Sequence, residues 1–136
     1  MKNLIFIIAC FASLGTFSQT VEDLKKGEKL LVKYKSQGCF HFDNDEIKFE
    51  NILDVVMVTY GEKTFQLTET QLRSVTDFEI KLKKQSDLLC TTTDFYEVHH
   101  KGVKKEYVDG SCAWNGFNSL LKNLNLEKQK IQGGTF

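Results

Sequence analysis

Several stretches of the chain alternate apolar and polar residues with a period of two, the pattern of a strand that turns one face inward. Leu30, Val32 and Tyr34 alternate with Leu31, Lys33 and Lys35, which predicts a first strand over 30–35. Were it an edge, Lys33 and Lys35 would discourage unwanted strand pairing. Phe40 and Phe42 alternate with Cys39, His41 and Asp43, and Ile47 and Phe49 alternate with Lys48 and Glu50. The intervening Asp43-Asn44-Asp45 reads as a turn, since Asn and Asp side chains hydrogen-bond their own backbone. Residues 55–60 are β-branched and apolar on both sides, predicting a strand inside the sheet, and Gly61-Glu62-Lys63 turns the chain back into Thr64-Phe65-Gln66-Leu67. Two more strands follow over 95–99 and 103–108, separated by His100-Lys101-Gly102.

Elsewhere the period lengthens to that of a helix. Thr68-Glu69-Thr70-Gln71 is a capping box, in which the Thr68 hydroxyl and the Gln71 side chain each satisfy a backbone amide of the other. Leu72, Val75, Phe78 and Leu82 then form an apolar stripe, with Arg73, Asp77, Lys81 and Lys84 toward solvent, and the helix should fray near Gln85-Ser86. Thr20-Val21-Glu22-Asp23 predicts a short capped helical turn that ends near Gly27. Trp114, Phe117, Leu120, Leu121 and Leu124 make a last helical stripe. Strands, a helix, a hairpin and a helix in that order predict an α+β fold, an antiparallel sheet with two helices packed on one face.

The N-terminus changes where this domain is expected to work. Met1-Lys2-Asn3 precedes an apolar run from Leu4 to Leu14, and Thr16 and Ser18 are small residues placed for cleavage before Gln19. This reads as a signal peptide over 1–18, too short to span a bilayer. Ile7-Ile8-Ala9-Cys10 loosely resembles a lipoprotein box, but the chain stays apolar after Cys10. The expected mature protein is a single domain over 19–126 with a flexible tail over 127–136, periplasmic or secreted, and without a transmembrane segment once the signal is removed. In 136 residues, 18 basic side chains balance 18 acidic ones and Pro is absent. Without a basic excess nothing favours nucleic acid, and without Pro there is no stiff linker to a second domain.

Cleavage would leave Cys39, Cys90 and Cys112 in an oxidising compartment. A three-residue loop at His100-Lys101-Gly102 would place His99 opposite Val103, Glu97 opposite Lys105, Phe95 opposite Tyr107 and Cys90 opposite Cys112. A two-residue loop would instead oppose Glu97 to Glu106, two like charges. The expectation is a Cys90–Cys112 disulfide and a free thiol at Cys39. Cys39 and His41, with His99 or His100, are the residues from which a thiol or metal enzyme could be built, although no spaced ligand set accompanies them. Asp43, Asn44, Asp45 and Glu46 lack the spacing of a calcium loop. No phosphate loop, nucleophile elbow or zinc-protease helix occurs, so no catalytic residue, cofactor or metal is expected.

Gly38-Cys39-Phe40, Thr68-x-x-Gln71 and Asp109-Gly110-Ser111-Cys112 together resemble small exported domains of the Gram-negative envelope that have no known function. A more distant similarity is to periplasmic inhibitors of cell-wall lytic enzymes, in size, compartment and disulfide use. The function expected from these readings is a non-enzymatic binding module, an inhibitor or immunity protein acting on a protein partner in the envelope or extracellular space. The alternatives are the thiol or metal enzyme at Cys39 and His41, and a structural envelope component.

Overall fold

A computed structural model describes residues 20–88 and 90–128. The expected signal peptide and most of the expected tail therefore lie outside the described residues. Six antiparallel strands, β1 (Lys29–Gly38), β2 (His41–Ile52), β3 (Val55–Tyr60), β4 (Lys63–Gln66), β5 (Thr92–His100) and β6 (Val103–Asp109), form one open sheet in the order β4-β3-β2-β1-β5-β6. The helices α1 (Glu69–Leu82) and α2 (Gly116–Asn123) cover one face, as expected of the α+β class. A 3-10 turn over Val21–Asp23 leads in, closed by the Asp23 carboxylate accepting the Thr20 amide at 3.0 Å. Among the described residues no helix is long and apolar enough to cross a membrane.

Strand alternation decides which side is buried. Leu30, Val32 and Tyr34 of β1, Ile47 and Phe49 of β2, Val58 and Tyr60 of β3 and Tyr96 of β5 meet Val75, Phe78 and Leu82 of α1 and Phe117, Leu120 and Leu121 of α2 in one core. Tyr34 stacks on Phe117 with ring centroids 4.5 Å apart, and Trp114 lies 5.5 Å from Phe78. The helix start is as the sequence predicts: the Gln71 amide donates to the Thr68 hydroxyl at 3.2 Å, and the Gln71 side chain accepts the Thr68 amide at 3.0 Å.

Two expectations are corrected, and one condition is not met. Strand β1 is no edge, because β2 and β5 flank it; the edges are β4 and β6. Asp43-Asn44-Asp45 is not a turn but part of β2, paired with Ser36, Lys35 and Tyr34, and the chain reverses at Cys39-Phe40 instead. Distant partners override the local turn preference there, among them the Tyr60 hydroxyl, which donates to Asp45. The β5–β6 hairpin turns in two residues, so that His100 faces Val103, Glu97 faces Glu106 and Tyr96 faces Tyr107. Both turn residues, Lys101 at φ 50 and Gly102 at φ 73, are left-handed, as the tightest hairpin turns require. A one-residue slip would flip every β6 side chain, turning Tyr107 away from the core and Glu106 into it. Burying that charge costs more than a like-charge pair in water. Lys104, 2.8 Å from Glu106, and His99, 3.0 Å from Glu97, soften the pair.

Candidate binding surfaces

Cys90 and Cys112 lie within disulfide distance, their Cα atoms 5.9 Å apart, yet not as opposed ladder positions. The ladder stops at Asp94 opposite Asp109, and the two cysteines sit in the segments beyond it. Those segments are pressed together by backbone: the Gly110 amide donates to Ser86 O at 3.1 Å, and a Cβ on Gly110 would fall 1.7 Å from the Leu88 carbonyl oxygen. Asp109 holds the following turn, accepting from the Ser111 amide and hydroxyl at 2.9 and 2.5 Å.

Cys39 is a free, exposed thiol at the tip of the β1–β2 hairpin. His41 begins β2 beside it, but neither His99 nor His100 joins them. Gly38 is opposite His41 while Leu31 is opposite His99. Seven residues of β1, about 23 Å at strand rise, therefore separate the two ends. His99 and His100 also point to opposite faces, His99 to Glu97 and His100 to Glu28 at 3.3 Å. Among the described residues, no group of three or more His, Cys, Asp and Glu side chains could hold a metal ion.

At the disulfide end of the sheet, one row across the strands reads Asp43, Ser36, Asp94 and Asp109 on the helix side. Ser36, Asp94 and Asp109 border a hollow of about 410 Å³ that also touches His41, Trp114 and Asn118. Burial raises the Asp94 carboxyl, which the nearby Asp109 charge raises further against the hydrogen bond from Ser36. Lys128, at the start of the expected tail, pairs with Asp43 and lies 5.4 Å from the Tyr34 ring centre. These carboxylates are thus engaged with Ser36, Ser111, Lys128 and Tyr34.

Among the described residues no helix covers the opposite face of the sheet. Lys33 stands between Glu46 and Glu97, and Lys35 between Asn44 and Phe95. Together they line a shallow groove of about 560 Å³. At its hairpin end Phe42 is 63% exposed, with the Lys35 ammonium 5.5 Å from its ring centre, and Phe40 is 104% exposed. Phe40 and Phe42 thus lie in water next to mixed charges, residue types that interfaces concentrate.

One further group escaped the sequence reading. Glu79 lies on the core side of α1, only 4% exposed, and its Oε2 accepts the Val21 amide at 2.8 Å. Burial pushes its carboxyl up from an ordinary 4.5 to about 7, against the lowering effects of that hydrogen bond and of Lys83. Its place four residues after Val75 puts it on the apolar stripe, which is the signal that could have found it. Comparison of the chain with protein-family models, with curated proteins and with solved structures finds no match.

Proposed function

We propose that the protein is an exported, non-enzymatic binding module that engages a protein partner through the bare face of its sheet and the β1–β2 hairpin. The observation that carries this reading is the exposure of Phe40 and Phe42 at the end of the Lys33–Glu97 groove. Interfaces concentrate their energy in a few aromatic anchors with a polar, charge-bearing rim. Phe40 and Phe42 supply the anchors, and Lys33, Glu46 and Glu97 supply the rim. The pairing of Cys90 with Cys112 is in keeping with an oxidising compartment. Inhibition of an envelope or secreted enzyme is the form such binding takes in this reading, with the hairpin tip entering the partner's cleft.

Photo-crosslinking in the producing cell tests it. A benzophenone amino acid at position 40 should trap one partner, and the same group at the exposed Glu22, in the 3-10 turn bonded to α1, should not. Phe40→Ser with Phe42→Ser should abolish capture of that partner and leave the unfolding midpoint unchanged. Equal trapping from both positions, or capture that survives the double substitution, would refute the assignment.

A further inference from the structure

A separate pocket of about 210 Å³ opens on the helix side of the sheet, between the C-terminal half of α1 and the tip of the β5–β6 hairpin. Leu30, Leu82, Val98, Val103 and Tyr107 supply its apolar lining, and the Glu79 side chain belongs to the same wall. Lys83, Lys101, Lys105 and His100 complete it. Glu28 takes up part of this positive charge, lying 2.8 Å from Lys101 and 3.3 Å from His100. Lys105 has no ion pair among the described residues. The pocket is smaller than a drug-sized site, so its ligand is a compact one.

We propose that this pocket binds a small amphipathic carboxylate, with its hydrocarbon part between Leu30, Leu82, Val98, Val103 and Tyr107 and its charge set against Lys105. The lining itself holds three lysines and one carboxylate, Glu79, and Lys105 among them carries no ion pair among the described residues, so the site favours an anion over a cation. An apolar body removes water from Val98, Val103 and Tyr107, which the helix leaves partly uncovered above buried Leu30 and Leu82. Glu79 opposes the ligand only when ionised, and its burial makes the neutral form abundant near neutral pH. The groups facing Glu79 are the Val21 amide, Glu22 and Asp23 from the 3-10 turn, Lys83 on its own helix, Lys105 and Tyr107 from β6, and His100 and Lys101 from the hairpin.

Octanoate is the probe, with octylammonium as its cationic counterpart, titrated into the oxidised mature chain and followed by amide NMR. Octanoate should shift Val98, Val103 and Tyr107 saturably. Its affinity should rise up to about tenfold from pH 8 to pH 6, since only the fraction with neutral Glu79 binds well. Octylammonium should bind at least about tenfold more weakly. Lys105→Glu, an exposed change on the edge strand, should weaken octanoate about tenfold without altering the fold. Glu79→Gln should retain binding and flatten its pH dependence, separating Glu79 from His100. Equal binding of the two probes, octanoate shifts outside the pocket, or full affinity in Lys105→Glu would overturn the proposal. The pH profile and Lys105→Glu decide it even if Glu79→Gln fails to fold.

Discussion

Glu79→Gln should stabilise the protein at pH 8 and do so several-fold less at pH 5. The folded carboxyl keeps its proton up to about 7, whereas the unfolded chain releases it near 4.5. Between those values the folded state binds more protons, so stability falls as pH rises through the window, and above it the fold carries the whole penalty. The interval is worth about 3 kcal/mol at roughly 1.4 kcal/mol per pH unit. Gln preserves the length of the side chain and an oxygen to accept the Val21 amide, held at 2.8 Å, but has no charge to desolvate. At pH 5 the native carboxyl is neutral while the unfolded one is already partly ionised, so the difference should shrink to about 1 kcal/mol. Urea unfolding of both at pH 5, 6, 7 and 8 provides the assay, because every other titrating group cancels in the difference. In a domain of this size the gain at pH 8 amounts to about 10 °C in Tm. A difference that does not vary with pH, or a Gln variant less stable at pH 8, would refute the argument from burial.

Non-reducing peptide mapping should recover Cys90 joined to Cys112 with Cys39 free, and replacing the pair by Ser should cost about 3 kcal/mol. Thr68→Ala removes the acceptor of the Gln71 amide and should cost about 1 kcal/mol in denaturant unfolding. Gly110→Ala should cost more than either, because its Cβ would meet the Leu88 carbonyl oxygen at 1.7 Å and neither backbone can yield freely; the same unfolding assay checks it. Intact mass of the protein from the producing cell should correspond to a chain starting at Gln19 without lipid, and a diacylated chain starting at Cys10 would place it on a membrane leaflet instead.

The features legible in the sequence are those fixed by near neighbours. The Thr68–Gln71 capping box is complete within four residues, and the stripe of Val75, Phe78 and Leu82 follows from helical spacing alone. The hairpin register was hidden because it depends on Lys101 accepting a left-handed backbone, which a lysine does not advertise. Its choice also depends on which face of β6 meets the core, a matter settled by Tyr96 of the adjoining strand. Asp43 and Asp45 read as turn residues until Ser36, Lys128 and Tyr60 are brought beside them. The cysteine pair was anticipated by an incorrect register, its two members meeting in loops beyond the strands. For the candidate surfaces, alternation along β1 and β2 implied two faces, but only the order of the strands reveals which row of charges Phe42 adjoins.

The position of β1 has a consequence for the order in which the protein matures. Its partner on one side, β2, follows within a tight turn, whereas its partner on the other, β5, arrives later: Gly38 pairs with Thr92 and Leu30 with His100. A chain that emerges N-terminus first during synthesis therefore spends time with the β1–β4 meander complete and one side of β1 bare. In that interval the strand is a temporary border, with unpaired amides and carbonyls open to any passing strand. Lys33 and Lys35, which have no edge to protect in the finished sheet, repel another copy of the same strand during that interval, as gatekeepers of an unfinished one.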